Sequence, residues 1–218
     1  MTVIEHLAAA RHRALLMIWR RRIGAHRLAA LGRDSVIVPP ATILAPHRIV
    51  IGDRVLVFER ATFSLVEEYN GRRYSPHLRI GDRTVICHTA WFSCVGEVEI
   101  GDDVLIGHNV LIADSFHEYA DRSRPISAQP MATPRSVRIG AGSVIGPGAA
   151  ILSGTTLGAG TYVAAGAVVA GEYAAHSVLA GNPAEVIRSW DEAQNRFLDS
   201  ADPRFVQIRR SLGGGSGP

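Results

Sequence analysis

His117 is the residue of this sequence best placed for acid–base chemistry, because it stands where a regular apolar pattern gives way to a long polar segment. It ends the run Ile112-Ala113-Asp114-Ser115-Phe116-His117. A neutral imidazole, with a reference pKa of about 6.5, accepts a proton at physiological pH. The position therefore predicts a general base that acts on a bound hydroxyl group. The alternative is a loop histidine that is only solvated.

Polar residues near His117 can assist it. The carboxylates of Asp114 and Glu118 can orient the imidazole through its second nitrogen, as the acid of a catalytic triad does. Asn109 can bind the hydroxyl group of an acceptor through its amide. Each has a plainer alternative, which is a turn or loop carboxylate for the two acids and, for Asn109, a corner residue that tolerates an unusual backbone angle.

The elements that position these residues are built from a six-residue repeat. An aliphatic or aromatic residue recurs at every sixth position within each run, usually followed by glycine or another small residue. The repeated positions are Ile51, Val57, Phe63, Ile80, Ile86, Phe92, Ile100, Ile106, Ile112, Ile139, Ile145, Ile151, Leu157, Val163 and Val169. A fixed period of six predicts an all-β solenoid, a parallel β-helix in which three repeats make one triangular coil. The apolar residue of each repeat is expected to point inward.

The repeat divides the chain into four predicted parts. Two polar insertions interrupt it, and both contain aromatic, charged and histidine residues, which favours a functional role. The parts are a basic helical N-terminal segment (1–34), the β-helix (35–184) with insertions at 66–79 and 117–136, a helical C-terminal segment (185–212) and a flexible tail (213–218). The N-terminal helix either caps the open end of the solenoid or makes peripheral contact with an anionic membrane.

The bulk composition argues against several other classes of protein. The 218 residues carry a net charge of +3, and most of the 22 glycines lie at regular positions within the repeat. Glycine-rich corners between Gly140 and Gly171 let a ligand approach backbone amides, but no phosphate-binding loop or dinucleotide fingerprint implies ATP or NAD. We expect no nucleic-acid partner. Cys87 and Cys94 give no disulfide framework and predict buried thiols, and without a secretory signal the expected location is cytoplasmic.

Residues 100–188 resemble the hexapeptide-repeat O-acyltransferases, the group that includes galactoside, maltose and nodulation-factor acetyltransferases and many enzymes that O-acetylate polysaccharides. The segments that carry the resemblance are Ile112-Ala113-Asp114 with His117, Arg124-Pro125-Ile126 with Gln129, Val137-Arg138-Ile139-Gly140, and Ser177-Val178-Leu179-Ala180-Gly181-Asn182-Pro183-Ala184-Glu185-Val186-Ile187-Arg188. The Ala-Gly-Asn-Pro-Ala sequence within the last run is the most specific of them.

The resemblance implies a left-handed β-helix and a homotrimer whose active sites lie between neighbouring subunits. It also implies that an acceptor hydroxyl, on a small molecule or glycan, attacks the thioester of acetyl-CoA or another acyl-CoA directly, while backbone amides stabilise the oxyanion. The residues expected at this site are His117 and Asp114 for catalysis, Asn109, Tyr119, Arg124 and Gln129 for the acceptor, and Gly146, Ala165 and Arg188 for the coenzyme.

Two positions depart from the pattern of that group. Val144 stands where the group often has tryptophan, and Ala170-Gly171 stands where it often has Thr-Lys. That lysine helps to hold the phosphates of the coenzyme. The departure therefore leaves two alternatives, which are weaker binding of the coenzyme or a substitute role for Arg188.

Three other functions are compatible with the sequence. An N-acyltransferase for an amino sugar or a xenobiotic would use the same histidine with a different pocket in residues 66–79. A catalytically silent scaffold would keep the solenoid alone. His88, His108 and His117 can also converge on a metal, but hexapeptide-repeat carbonic anhydrases place a second histidine five positions after a Gly-His, where this chain has Ala113. We therefore expect no metal site.

Overall fold

The structure of the protein is a computed structural model that describes residues 27–199 and 202–205. This part of the chain consists almost entirely of short β-strands, with 3₁₀ turns at Pro46–Arg48 and Ile126–Ala128. The strands are β1 (Ala30–Leu31), β2 (Val36–Ile37), β3 (Thr42–Ile43), β4 (Ile49–Ile51), β5 (Leu56–Val57), β6 (Thr62–Leu65), β7 (Glu68–Tyr69), β8 (Arg72–Arg73), β9 (His77–Ile80), β10 (Val85–Ile86), β11 (Trp91–Cys94), β12 (Glu97–Ile100), β13 (Leu105–Ile106), β14 (Leu111–Ala113), β15 (Val137–Ile139), β16 (Val144–Ile145), β17 (Ala150–Ile151), β18 (Thr156–Leu157), β19 (Tyr162–Val163), β20 (Val168–Val169), β21 (Glu172–Tyr173), β22 (Ser177–Gly181), β23 (Ala184–Asp191) and β24 (Arg196–Asp199).

The chain visits three parallel sheets in rotation. Sheet 1 has the order β1-β4-β9-β12-β15-β18-β21, sheet 2 has β2-β5-β10-β13-β16-β19-β22-β23-β24, and sheet 3 has β3-β6-β11-β14-β17-β20. When β7 and β8 of the first insertion and the antiparallel β23 and β24 are left out of the count, each strand pairs with the strand three places later. This topology agrees with the predicted parallel β-helix, in which one coil consists of three strands. We call the connections corner 1–2, corner 2–3 and corner 3–1, after the sheets that they join.

The repeated apolar positions form one continuous core. Every one of them is buried, from Ile51 to Val169, and none is more than 3% exposed. Aligned residues of successive coils stack on one another, as the rings of Phe63 and Phe92 show with their centroids 5.0 Å apart. Burial of a side chain of this size contributes about 1.5–3 kcal/mol. The six-residue period is therefore the period at which side chains meet the core.

At corner 1–2, aspartate side chains connect successive coils. The carboxylates of Asp53, Asp82 and Asp102 accept the backbone N–H groups of Arg33, Asp53 and Asp82 at 2.8, 2.8 and 2.9 Å. The coils approach so closely here that a Cβ atom at Gly81 would lie 2.4 Å from Asp102 Oδ1. Only glycine fits at this position, because any Cβ atom would overlap with the next coil.

Both insertions leave the repeat at corner 3–1. The first follows β6 and contains the hairpin β7–β8, and the second follows β14 and ends before β15. Because β6 and β14 both pair with β11, with one coil between them, the two insertions emerge on the same edge of the molecule. Their common edge brings the polar segments of 66–79 and 117–136 together.

The helical prediction for residues 185–212 is wrong over the part that the structure describes up to residue 199. β23 and β24 instead continue sheet 2 as antiparallel strands, and Gly181, with a φ of 103°, leads into the turn of the first hairpin. The physical reason is that the last parallel strand, β22, would otherwise expose an unpaired edge. Hydrogen bonding to that edge overrides the helical spacing of the local sequence.

The predicted start of the solenoid at residue 35 is also late. Ala30 and Leu31 already pair with Val50 and Ile51 of β4, so residues 30–31 are strand and not helix. Residues 1–26 of the predicted N-terminal helical segment, with its proposed membrane contact, lie outside the described residues. Within 27–199 and 202–205, no helix is long and apolar enough to cross a membrane.

Candidate active site

His117 lies just beyond β14, at the beginning of the second insertion. It forms an isolated antiparallel bridge with Met131, so the two ends of the insertion are held side by side. Its side chain is exposed, and the ring of Tyr69 from the first insertion meets it edge-on with the centroids 5.1 Å apart. No described residue forms a hydrogen bond with its ring nitrogens. Tyr69 therefore holds the imidazole by a ring contact, and the ring nitrogens stay free to bind a ligand.

Side chains of the first insertion bind the backbone of the second. Tyr69 Oη donates to the carbonyl oxygen of Ser127 at 2.9 Å. The amide of Asn70 donates to the carbonyl oxygens of Ser127 and Gln129 at 2.8 and 2.9 Å. The backbone N–H of Met131 donates to Tyr74 Oη at 3.0 Å. These contacts fix the loop that carries His117 to the neighbouring coils.

Asp114 does not orient His117 in this structure, which corrects the predicted role. Its side chain is fully buried, and its two carboxylate oxygens accept the backbone N–H groups of Val95 and Gly96 at 2.8 and 2.7 Å. Cys94 Sγ contacts the same carboxylate at 3.5 Å. Burial raises the pKa of Asp114 above its ordinary value, and the two backbone hydrogen bonds oppose the rise. Asp114 therefore connects its own coil to the preceding one.

The predicted acceptor residue Gln129 is also engaged within the protein. It is 2% exposed, and its amide nitrogen donates to the carbonyl oxygens of Asp121 and Arg124 at 2.9 and 3.2 Å. Its amide oxygen accepts the backbone N–H of Asp121 at 3.2 Å. Arg124 in turn donates to the carbonyl oxygen of Ala128. In this structure Gln129 closes the tip of the insertion and has no free group for an acceptor.

The remaining predicted acceptor residues are solvent-exposed. Tyr119 is 65% exposed, and its ring stacks on Phe116 at 6.2 Å. Asn109 lies at corner 2–3 with a φ of 57°, in the left-handed region that asparagine tolerates. Its amide oxygen accepts a hydrogen bond from Thr89 Oγ1. The half-buried side chain of Glu118 has no hydrogen bond with His117.

The structure brings together two of the three predicted coenzyme residues. Gly146 and Ala165 occupy corner 2–3 in successive coils, and a Cβ atom at Gly146 would lie 2.5 Å from the backbone nitrogen of Ala165. Arg188 lies outside this corner, on β23, where it pairs with Val178 of β22. Val178 is three residues before Gly181 in the same strand. Gly146 and Ala165 thus form one narrow corner lined by backbone, whereas Arg188 lies on the face of sheet 2.

Within one chain, the predicted base and the predicted coenzyme corner lie at opposite ends of the parallel strands of sheet 3. His117 follows β14, whereas Gly146 and Ala165 precede β17 and β20 in the same sheet. Sheet 3 is two to four residues wide, which corresponds to roughly 7–13 Å of strand. Within one chain, the predicted base and the predicted coenzyme corner are therefore separated by the length of a strand of sheet 3.

Sequence reasoning did not assign roles to Tyr69, Asn70 and Tyr74. The residue types alone do not reveal which groups these side chains contact, because contacts between two irregular loops follow no sequence repeat. The phase of the six-residue repeat does predict that the two insertions lie close together. Both insertions begin after a strand of sheet 3, and counting hexads places them at the same corner.

Comparison with known proteins agrees with the repeat. Residues 136–171 match the family model described as bacterial transferase hexapeptide (six repeats). This segment is similar to the hexapeptide repeats of bacterial transferases. A search of curated proteins finds no match. In the described residues, no group of three or more His, Cys, Asp or Glu side chains is placed to hold a metal ion.

Solved structures with the same fold include several acyltransferases. The N-acyltransferase AntD from Bacillus cereus, in complex with dTDP and 3-hydroxybutyryl-CoA, is 16% identical, with 88% of this chain and 94% of AntD covered and a TM-score of 0.64. A hexapeptide-repeat acetyltransferase from Vibrio cholerae is 24% identical, with 87% and 93% covered and a TM-score of 0.56. A second structure of that enzyme contains acetyl-CoA. A maltose O-acetyltransferase from Clostridium difficile is 22% identical, with 79% and 75% covered and a TM-score of 0.52.

Proposed function

We propose that the protein is an acyl-CoA-dependent O-acyltransferase that transfers an acetyl group to a hydroxyl of a saccharide or glycan-like acceptor. One observation carries the proposal. The hexapeptide repeat presents an exposed histidine, His117, with free ring nitrogens on a loop that Tyr69 and Asn70 hold in place. A general base needs this combination of access and fixed position. Acyl-CoA complexes of proteins with the same fold support the choice of donor.

In the proposed reaction, the imidazole of His117 accepts the proton of the acceptor hydroxyl. The oxygen attacks the carbonyl carbon of the thioester, and backbone N–H groups stabilise the negative charge on the carbonyl oxygen. When the carbon–sulfur bond breaks, the protonated imidazole returns its proton to the departing thiolate. His117 is therefore regenerated in each cycle, and neither a metal nor a covalent enzyme intermediate is required.

We further propose that the β-helix is left-handed and that the active protein is a homotrimer. Two features of the chain support an assembly. His117 and the corner formed by Gly146 and Ala165 lie at opposite ends of the strands of sheet 3, so an assembly can place the base of one copy beside the coenzyme corner of another. Large apolar side chains are exposed on the faces that meet at corner 2–3, namely Trp91 (53%), Leu105 (41%) and Tyr162 (48%). Aromatic side chains are enriched at protein interfaces.

The second candidate is acyl transfer to an amino group of a sugar. It would use the same base and the same coenzyme corner, and only the group that attacks the thioester would differ. The fold is similar to that of AntD, an N-acyltransferase whose structure contains dTDP, and this similarity favours N-acyl transfer as the second candidate. Amino sugars with and without a free hydroxyl therefore belong among the acceptors to be tested.

The test is thiol release from acetyl-CoA by the full chain, measured with a panel of sugars, amino sugars and lipid-linked glycans. His117→Ala is expected to lower acceptor-dependent turnover by about 10²- to 10⁴-fold, as loss of a general base does. His176→Ala, at an exposed histidine of corner 1–2, is the matched control and should be unaffected. Both variants are compared with the native chain by sedimentation. Full turnover in His117→Ala, or no binding of coenzyme A by the native chain, would refute the proposal.

A further inference from the structure

The outer face of sheet 3 differs from the outer faces of the other two sheets, because its described strands carry hydroxyl groups and no charged side chain there. Sheet 1 is charged on the outside, where Arg138 binds Glu97 and Glu99 at 2.8 and 3.1 Å. Sheet 2 presents apolar and aromatic side chains, among them Leu105 and Tyr162. The outward residues of sheet 3 are Thr42, Thr62, Ser64, Trp91, Ser93, Leu111, Ala113, Ala150 and Val168.

Trp91 is the one aromatic residue among these outward positions of the described strands. Its side chain is 53% exposed, and no described residue forms a hydrogen bond with its indole N–H. In the strand register it lies between Thr62 and Leu111. The next outward positions toward corner 3–1 are small, namely Ser93 on the same strand and Ala113 beside it. The indole therefore stands beside a floor of small side chains and offers apolar surface to a ligand.

Two serine hydroxyl groups form part of that floor. Ser64 and Ser93 pair in register on neighbouring strands, and both side chains are partly exposed. Adjacent strands lie about 4.8 Å apart, and two residues along a strand separate Ser93 from Trp91 by roughly 7 Å. No described residue forms a hydrogen bond with either hydroxyl group. Because a hydroxyl both donates and accepts, the floor offers both kinds of hydrogen bond to a ligand that lies against the indole.

This face lies between the predicted base and the predicted coenzyme corner. The strands of sheet 3 begin at corner 2–3, which contains Gly146 and Ala165, and end at corner 3–1, where His117 follows β14. β11 is the neighbour of β14, and Ser93 lies in the half of β11 that is nearer to corner 3–1. A ligand that extends from Trp91 over Ser93 is therefore directed toward the end of the sheet at which the base lies.

We propose that the outer face of sheet 3 binds a neutral saccharide as the acceptor of the acyl group. The apolar face of a sugar ring lies against Trp91, and its hydroxyl groups bond to Ser64 and Ser93. A further hydroxyl group is presented to His117. This inference deepens the proposed acyltransferase function and rests on it.

The chemistry of the face matches a neutral sugar better than a charged ligand. A sugar ring has C–H groups on its faces and hydroxyl groups at its rim, so it needs apolar surface beside groups that both donate and accept. An anionic or cationic ligand would find no opposite charge among the outward residues of these strands. The hydroxyl groups also argue against a second copy of the chain, because an apolar protein surface would bury Ser64 and Ser93 without partners.

The test measures binding and turnover with the full chain and four neutral probes, which are methyl glucoside, methyl galactoside, maltose and lactose. Binding is followed by calorimetry, with and without saturating coenzyme A, in the native chain and in Trp91→Ala, Trp91→Phe and Ser93→Ala. Thr156→Ala is the matched control, because Thr156 is an outward residue of sheet 1 whose hydroxyl also lacks a described partner. Sedimentation velocity reports the assembly of each variant.

We expect Trp91→Ala to weaken saccharide binding about tenfold and Trp91→Phe to weaken it less, because a phenyl ring keeps part of the stacking surface. Ser93→Ala should weaken binding about 2- to 10-fold, the loss typical of one neutral hydrogen bond. The KM for the saccharide should rise by the same factors while the KM for acetyl-CoA is unchanged. Because no charged side chain takes part, the affinity should change less than about twofold between about 0.05 and 0.5 M NaCl.

Three results would overturn the saccharide site. They are a native chain that binds none of the four probes, an affinity that falls steeply with salt, and binding that is unchanged in Trp91→Ala and Ser93→Ala. Dissociation of the assembly in Trp91→Ala, with saccharide binding retained, would assign this face to a second copy and also overturn the inference.

The outcomes separate this inference from the proposed function. Turnover of acetyl-CoA that needs His117 but is unaffected by the sheet 3 variants leaves the acyltransferase standing and removes the saccharide site. Saccharide binding that needs Trp91 and Ser93, without any turnover of acetyl-CoA, supports the binding face and refutes the acyltransferase.

Discussion

The ring of Tyr69 meets the ring of His117 edge-on at 5.1 Å, although 48 positions separate them in the sequence. The hydroxyl of the same tyrosine donates to the carbonyl oxygen of Ser127, on the far side of the loop that begins at His117. Tyr69 therefore touches both the predicted base and the loop that carries it. It acts as a positioning residue, because its contacts act through the imidazole and not on a substrate.

The first prediction separates these two contacts. Tyr69→Phe keeps the ring against His117 but removes the hydrogen bond to Ser127, which is worth about 1 kcal/mol. We expect kcat to fall about fivefold while the KM for acetyl-CoA is unchanged. Ser35→Ala, which removes a side-chain hydrogen bond to the carbonyl oxygen of Gly52 at corner 1–2, should leave both constants as they are. A change in KM for acetyl-CoA with kcat constant would contradict the positioning role.

The second prediction concerns the coil-to-coil contact made by Asp114. In Asp114→Asn, one of the two backbone N–H groups of Val95 and Gly96 faces an amide NH₂ group in place of an oxygen. We expect the free energy of unfolding at pH 7, measured with urea, to fall by about 1–3 kcal/mol. Ser153→Ala is a useful comparison, because it removes a neutral hydrogen bond to the Asp114 carbonyl oxygen. That loss should be smaller.

The pH dependence of this difference has a definite sign. Burial raises the pKa of Asp114 in the folded chain above the ordinary value of 3.8, so the folded state binds its proton more tightly than the unfolded state does. The contribution of this group to stability is then largest below pH 3.8 and declines as the pH rises through the folded pKa. The stability advantage of the native chain over Asp114→Asn should therefore be larger at pH 3.5 than at pH 7. An advantage that grows with pH would show that the two hydrogen bonds outweigh burial.

The sequence was most informative where the structure is periodic. All repeated positions from Ile51 to Val169 are buried as expected, because the solenoid imposes one environment on every sixth residue. It was least informative where contacts are made between segments without a period. The carboxylate of Asp114 was expected beside His117, and the chain turns it inward to backbone N–H groups of another coil. Residues 184–191 and 196–199 pair as strands because β22 offers an unpaired edge, which the local spacing of apolar residues does not reveal.

The third prediction concerns the two thiols, which differ in burial. Burial raises the pKa of the Cys94 thiol, and the neighbouring Asp114 carboxylate raises it further. Burial alone raises the pKa of Cys87, whose side chain is only partly covered. Because the thiolate is the reactive form, neither should react rapidly with an aromatic disulfide reagent at pH 8. We expect one slow reaction, lost in Cys87→Ser, and a second that appears only in guanidinium chloride. Rapid modification of the native Cys87→Ser variant would contradict the buried position of Cys94.

The last prediction tests the close approach of coils at corner 1–2. A Cβ atom at Gly81 would lie 2.4 Å from Asp102 Oδ1 and 2.5 Å from the carbonyl carbon of Gly101, and the second neighbour is backbone that cannot move aside. Gly81→Ala should therefore separate two coils and lower the free energy of unfolding by about 1–3 kcal/mol, the range of an overpacked core. The equivalent position in the last coil is already alanine, Ala174, since no further parallel coil follows it there. Ala174→Gly is the matched substitution, and we expect it to cost no more than about 1 kcal/mol of backbone entropy. Similar losses in the two variants, measured by urea denaturation at one pH, would mean that glycine is not required by space at this corner.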